Sequence, residues 1–93
     1  MAQVLSIGEE ADSPQQRSIQ SIDVGFRLIR VLETASAPLP LKTLAARADM
    51  PPAKAHLYLV SFIRLGLVRQ DPRTSHYGLG TYALQLGQAA LRQ

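Results

Sequence analysis

The pattern that most constrains the fold of this chain runs from residue 38 to residue 79. A short stretch with helical periodicity (41–48) is followed by a break at Asp-Met-Pro-Pro and then by a longer helical stretch (53–65). After a glycine, two short segments, LVRQ and HYGL, flank the turn sequence DPRTS. The pattern therefore predicts a helix, a tight turn, a second helix and a β-hairpin in close succession.

This order of elements is typical of a winged helix-turn-helix, which places one helix in the DNA major groove and a basic hairpin on the neighbouring backbone. We therefore predict a mainly α fold with a small β-hairpin, consisting of a three-helix core, a wing and a C-terminal linker helix. The recognition helix is expected at about residues 52–65 and the wing at about residues 68–79.

Residues that favour helix ends and turns support this division. Ser21 is a suitable N-cap for a first helix over about residues 22–35. Asp49 is expected to take a left-handed turn conformation before the recognition helix, and Gly66 the same conformation after it. One of the prolines at 51 and 52 suits the first helical turn, where a missing N–H leaves no helical bond unmade.

The chain divides into three predicted parts. Residues 1–17 have no sustained period and predict a disordered leader. Residues 18–80 predict the winged helix-turn-helix domain, and residues 81–93 predict a fourth helix that reaches the last residue without a cap, as the start of a longer segment would.

The distribution of charge favours a nucleic-acid partner without proving one. The chain has a formal net charge of +3. Residues 1–17 carry one Arg against three carboxylates, whereas residues 18–93 carry nine Lys or Arg against four Asp or Glu. The predicted domain is therefore basic, and a basic surface attracts polyphosphates.

Composition also excludes several classes of protein. The sequence has no Cys, which excludes a disulfide framework and a thiolate metal site. Its apolar runs are too short for a transmembrane span, and its N-terminus lacks the basic and apolar regions of a signal peptide. We therefore expect a cytoplasmic domain with neither cofactor nor metal.

Catalysis is poorly supported by the residue types present. None of the four acidic residues of the predicted domain forms a close pair at helical spacing, and its two histidines, His56 and His76, lie on different elements. The segment Gly78-Leu79-Gly80 lacks the pattern of a phosphate-binding loop. We therefore expect a non-enzyme.

The first turns of the recognition helix carry the candidate base contacts, because side chains there point into the major groove. These residues are Pro52, Ala53, Lys54, His56 and Leu57. Lys54 can meet guanine O6 and N7 or a phosphate, whereas Ala53 and Leu57 can make only apolar contacts, for instance with a thymine methyl. The simpler alternatives are that Lys54 is a solvated lysine and that His56 is a half-packed surface residue.

Candidate phosphate contacts lie on the second helix, later on the recognition helix and at the hairpin tip. They are Lys42, Thr43, Arg47, Ser61, Arg73, Thr74 and Ser75. A basic tip with hydroxyl groups suits phosphate or minor-groove contact, although an ordinary hydrophilic turn has the same composition. Tyr77 and Tyr82 are expected in the core, because their neighbours are apolar.

Several ordered motifs over residues 18–90 resemble the N-terminal domain of IclR-type bacterial transcriptional regulators. The motifs are SIQSIDVGFRLIRVLE, PLPLKTLAARADMPPAKAH, GLVRQDP, YGLG and ALQLG. The resemblance implies a winged helix-turn-helix repressor or activator that binds double-stranded DNA as a dimer or tetramer. It also implies a linker helix followed by an effector-binding domain, and this sequence lacks that domain. A small-molecule effector would act only through the missing domain.

The match to this family is uneven in the recognition helix. Pro51 and His56 retain the family pattern, whereas Leu57 stands where the family usually has Arg. The family's Lys, Ser and Thr positions hold Pro52, Ala53 and Lys54. Val24 replaces a common Arg of the first helix, and Asp49 replaces the turn Gly. Two outcomes are therefore open: specificity rests on Lys54, apolar contacts and DNA shape, or binding is weaker than is usual in the family.

A homodimer is implied by the same resemblance. The first helix is apolar on more than one side, and the family pairs this helix and the last one with a second copy. The implied dimerisation residues are Phe26, Ile29, Leu84 and Leu86. Two-fold pairing predicts an inverted-repeat operator with half-sites about one helical turn apart.

The main alternative is a winged-helix protein-interaction module without specific DNA binding. Ala53 and Leu57 favour it, because an exposed apolar face can bind a partner protein. A third class, a small enzyme, would need a convergent polar pocket that the sequence does not indicate.

Overall fold

A computed structural model of the chain describes residues 17–93. The elements of this part are α1 (Gln20–Thr34), α2 (Leu41–Arg47), α3 (Pro52–Leu65), β1 (Val68–Gln70), β2 (Tyr77–Leu79) and α4 (Thr81–Arg92). This order confirms the predicted mainly α fold with a β-hairpin. The predicted leader lies outside the described residues, apart from Arg17.

The core lies between the first three helices, and each supplies one leucine that is fully buried. These residues are Leu28 of α1, Leu44 of α2 and Leu59 of α3. Val68 and Tyr77 are buried against the same cluster from the hairpin. The three-helix core is therefore as predicted, and so is the burial of Tyr77.

Helices α1 and α3 approach closely at a glycine. A Cβ placed on Gly25 would lie 2.7 Å from Cδ1 of Tyr58 and 3.3 Å from Cζ of Phe62. Because a carbon at that distance from a ring would clash, the missing side chain of Gly25 makes room for the Tyr58 ring. This contact fixes the face that α3 turns toward the core.

The turn between α2 and α3 has the predicted backbone conformation. Asp49 has φ 59°, and the following residue, Met50, donates its N–H to the carbonyl oxygen of Ala45 at 3.0 Å. Met50 is buried and anchors the turn to the core. Pro51 then precedes the first helical residue of α3, Pro52.

Two features fix the hairpin on the helical core. Strands β1 and β2 are antiparallel, with Arg69 paired to Gly78. Leu39, in the link between α1 and α2, exchanges two backbone hydrogen bonds with Tyr77, at 2.9 and 2.8 Å. This additional bridge attaches β2 to the body of the domain.

The junction of α3, β1 and α4 depends on two glycines. Gly66 ends α3 with φ 85°, as predicted from its position. A Cβ on Gly80 would lie 2.3 Å from the carbonyl oxygen of Gly66, so only glycine fits there. The N–H of Gly80 also donates to the carbonyl oxygen of Leu67 at 2.8 Å.

The structure corrects two predictions. Ser21 is not the N-cap of α1, since the helix begins at Gln20 and its N-cap is Ile19. Upstream, Ser18 donates its hydroxyl to the carboxylate of Asp23, and this pair holds the helix start. Tyr82 is not a core residue, because 44% of its surface is exposed. Its neighbours on α4 are apolar, but they do not pack against the core.

None of the helices within residues 17–93 is both long enough and apolar enough to cross a membrane.

Candidate nucleic-acid interface

Helix α3 turns two chemically different faces to its surroundings. Its buried residues, Ala55 and Leu59, face the core. At about 100° per residue, the side chains directly opposite form a continuous line along the helix. This outer stripe consists of Ala53, Leu57, Val60 and Arg64, all of them exposed. The first three are apolar, and 70% of the surface of Leu57 is accessible to solvent.

Polar side chains flank the outer stripe on both sides. Lys54 and Ser61 lie on one flank, where they line a groove of about 350 Å³ together with Leu57 and Tyr58. His56 lies on the other flank and is exposed. The structure thus brings the predicted base-contact residues onto one accessible surface, but it places Lys54 beside the line of apolar groups rather than on it.

Lys54 also faces the start of α1. With Tyr58 of its own helix and with Gln20, Ser21 and Val24 of α1, it lines a second groove of about 300 Å³. The Lys54 ammonium is therefore positioned where the N-terminal ends of two helices come close together.

The N-terminus of α3 is open to an incoming acceptor. No side chain of residues 17–93 caps it, and its N-cap residue is Pro51. The N–H groups of Ala53 and Lys54 fall in the first helical turn, where no preceding carbonyl of the helix reaches them. The helix dipole adds partial positive charge at the same place, which favours a phosphate.

The hairpin tip is a pre-formed turn that presents a cation. The carboxylate of Asp71 accepts the backbone N–H of Arg73 at 2.8 Å, and the N–H of Ser75 donates to the carbonyl oxygen of Asp71 at 2.7 Å. The Thr74 hydroxyl accepts the N–H of His76 at 3.1 Å, so it keeps only its own hydrogen for a phosphate. Ser75 takes φ 66° to close the turn.

Arg73 extends from this turn into solvent. Its side chain is 87% exposed, and its Nε lies 4.0 Å from the Asp71 carboxylate. In the described part of the chain this is the one ion pair within 4.0 Å. An exposed pair at that distance contributes little to stability, so the guanidinium can exchange Asp71 for a phosphate at small cost.

The predicted phosphate contacts on α2 differ in accessibility. Lys42 and Arg47 are exposed, whereas Thr43 is half-buried. Asp49 is also exposed and introduces a negative charge between α2 and α3. The accessible charges of this segment are therefore two cations on α2 and one carboxylate in the turn that precedes α3.

Sequence reasoning missed two features of this surface. Val60 belongs to the outer stripe and is exposed, a position that the spacing 53, 57, 60 could have indicated. Arg69 folds back across the hairpin, where its Nη2 lies 3.5 Å from the position of a Cβ on Gly78. No local pattern reports that contact, because it depends on the pairing of β1 with β2.

Further exposed apolar side chains lie on α1 and on α4. Phe26, Leu84 and Leu86 are exposed, while Ile29 is half-buried and packs partly against the core. Ile22 is a further exposed member on α1. Within residues 17–93, none of the side chains of α4 is buried. The predicted dimerisation residues are thus accessible, with Ile29 at the edge of the surface.

Comparison with known proteins agrees with this architecture. Residues 21–72 match the family model of the IclR helix-turn-helix domain. Over 75 residues, 81% of this chain, the sequence is 32% identical to the glycerol operon regulatory protein of Streptomyces griseus, of which it covers 30%.

Solved structures show the same similarity. HmgR of Pseudomonas aeruginosa matches 81% of this chain at 39% identity and a TM-score of 0.74, with 31% of its own length covered. An IclR transcriptional regulator from Alicyclobacillus acidocaldarius matches 78% at 24% identity and a TM-score of 0.71. An IclR family regulator from Brucella abortus matches 86% at 22% identity and a TM-score of 0.72. The chain spans 30% of the length of each of these last two proteins.

Proposed function

The chain belongs to the IclR family of transcriptional regulators, and we propose that it binds an inverted-repeat operator as a homodimer. Its helix-turn-helix is a DNA-binding domain of a non-enzymatic family.

One observation carries the proposal: the N-terminal turns of α3 are exposed, lack a side-chain cap from residues 17–93 and include the cation of Lys54. Free N–H groups and a positive helix end suit a phosphate, and the exposed side chains beside them suit the base edges of the major groove. The proposed groove contacts are Pro52, Ala53, Lys54, His56 and Leu57.

Phosphate contacts on either side would fix the orientation of α3. On α2 and α3 the proposed donors are Lys42, Thr43, Arg47 and Ser61. At the hairpin tip they are Arg73, Thr74 and Ser75. Such contacts position a protein on the duplex without selecting a sequence. These residues are therefore expected to contribute equally to the affinity for every DNA sequence.

The proposed dimer uses the apolar surface of α1 and α4. Leu84 is 61% exposed, and it belongs to a helix without a buried residue in the described part of the chain. A helix of 12 residues with an uncovered apolar face is marginal alone in water, so packing against a second copy would stabilise it. Phe26 and Ile29 of α1 and Leu86 of α4 complete the proposed interface.

Randomised-site selection with the 93-residue chain tests the operator proposal. We expect an enriched inverted repeat with half-sites about one helical turn apart. Binding should weaken steeply with salt, as released counterions accumulate. Because the proposed dimer has two copies of Arg73, Arg73→Ala should reduce the slope of log K against log salt by about two units, one for each lost phosphate contact. Arg92→Ala, a change at the end of α4, should leave the slope unaltered. Recovery of no enriched sequence would refute the proposal.

Sedimentation equilibrium tests the dimer separately. Phe26→Ser combined with Leu84→Ser should shift the chain toward monomer, whereas Leu65→Ser, which alters an exposed leucine at the end of α3, should not. A wild-type chain that remains monomeric both alone and on the selected DNA would contradict the proposed dimer.

A second candidate function is a protein-interaction module, and the exposure of Leu57 favours it. Under this alternative, the selection yields no preferred sequence, and Leu57→Ala abolishes association with a partner protein without affecting DNA binding. The cation of Lys54 on one flank of the outer stripe argues for DNA, because a protein partner would have to supply a matching carboxylate.

A further inference from the structure

The outer stripe of α3 is the surface from which a recognition helix contacts bases, yet its leading residues carry no hydrogen-bonding side chain. Ala53 and Leu57 are followed by Val60, and the first polar group on the stripe is Arg64, at the far end of the helix. An apolar stripe at this position needs an apolar counterpart in the groove, since base edges are otherwise polar.

We propose that Leu57 and Ala53 are specificity-determining residues that bind the C5-methyl groups of thymines in each operator half-site. This inference rests on the proposed DNA binding of α3. The thymine methyl is the apolar group that the major groove presents, and no other standard base has one there. Leu57, at 70% exposure in the free protein, therefore has surface available for this contact.

Selection by Leu57 works by rejection as well as by attraction. A leucine pressed against guanine or cytosine would leave an acceptor or an amino group without a partner and without water. Leaving such a buried polar group unpaired costs more than the same contact gains, so the apolar side chain discriminates against those edges.

The spacing of the two residues limits where the thymines lie. Ala53 and Leu57 are one helical turn apart, which is about 6 Å along the axis. Successive base pairs rise by about 3.4 Å, so the two methyls are expected within two base steps of each other. Each half-site should therefore contain two thymines in a window of about three base pairs.

The polar flank that contains Lys54 argues for DNA as the occupant of the stripe. Lys54 lies beside Leu57 in the same groove, with the hydroxyl of Ser61 on the same side. Neither forms an ion pair or hydrogen bond with another side chain of residues 17–93. An apolar centre with cationic and hydroxyl groups beside it matches methyl groups with phosphates beside them.

Replacement of single thymines by deoxyuridine tests the inference, because it removes the methyl and leaves base pairing intact. The probe is the duplex recovered by site selection, and the readout is fluorescence anisotropy. For the wild-type chain, uracil at the thymine facing Leu57 should weaken binding about fourfold, the effect of one buried methyl. For Leu57→Ala the same replacement should have no effect, while Ala53→Gly should remove the response at the second thymine.

Leu65→Ala is the matched control, since this leucine is 65% exposed but lies at the opposite end of α3. It should keep the wild-type response to uracil. The inference is overturned when no half-site thymine responds to uracil in the wild type, or when the response persists in Leu57→Ala. In both cases DNA binding itself stands, because the selected duplex is still bound. Failure to recover any site would instead overturn the operator proposal and this inference with it.

Discussion

Two leucines on α3 stand two residues apart and have opposite environments. Leu59 is 0% exposed in the centre of the core, whereas Leu57 is 70% exposed on the outer stripe. Both belong to one regular helix, so backbone conformation does not distinguish them. Their difference teaches that α3 has two distinct faces: the inner face packs the core, and the outer face stays accessible for the binding that we propose.

The largest expected effect comes from a substitution on the inner face of α3. Leu59→Ala should lower the free energy of unfolding by about 2–5 kcal/mol, because it leaves a cavity between three packed helices. Leu57→Ala should change it by less than about 0.5 kcal/mol. Urea denaturation of the two variants measures both values. Equal losses would show that the two faces are not separate.

A substitution of Gly25 tests the packing of α1 against the inner face of α3. Gly25→Ala should lower the free energy of unfolding by about 1–2 kcal/mol, since a methyl group 2.7 Å from Tyr58 outweighs the gain in helix propensity. Gly87→Ala is the matched control, because a Cβ there meets no described atom within 4 Å. It should increase the helical circular dichroism signal of the chain and should not destabilise it.

A substitution of Lys54, which lies beside the outer stripe, tests the proposed role of this side of α3 in DNA binding. Lys54→Ala should weaken binding to the selected operator about tenfold and binding to a scrambled duplex much less, because a lysine that contacts a base edge contributes to discrimination. Lys42→Ala should weaken both complexes by the same factor. If the two variants behave alike, Lys54 contacts phosphate only.

The elements that obey local rules could be predicted from the sequence. Turn chemistry predicts left-handed conformations for Asp49 and Gly66, and both residues have them. The turn, the hairpin and the burial of Tyr77 followed from spacing and from the types of neighbouring residues. These predictions depend on residues that are close in sequence, which is why one sequence suffices.

The prediction that was wrong and the features that no sequence pattern indicated depend on contacts between segments that are distant in the sequence. The close packing of Gly25 against Tyr58 and the bridge from Leu39 to Tyr77 have no local signature. Tyr82 was assigned to the core because its neighbours are apolar, but α4 contacts the body mainly through β1 and the Gly66 junction. An apolar helix face that is left exposed has the same composition as one that packs on its own core.

The smallest expected effect comes from a substitution of Asp49, in the turn that precedes α3. Asp49→Gly should raise the free energy of unfolding by about 0.5 kcal/mol, because φ 59° costs glycine less than aspartate, while the greater freedom of glycine in the unfolded chain offsets part of the gain. The same change removes an exposed carboxylate beside the proposed DNA surface, so binding to any duplex should tighten about twofold at low salt.

Asp49→Asn separates these two consequences. Asparagine removes the charge but tolerates the left-handed conformation about as well as aspartate, so this variant should gain DNA affinity without gaining stability. The carboxylate follows the C-terminus of α2 and precedes the N-terminus of α3, and its interactions with the two helix dipoles oppose each other. An equal change in the free energy of unfolding for Asp49→Gly and Asp49→Asn would mean that charge, rather than backbone conformation, limits stability at this turn.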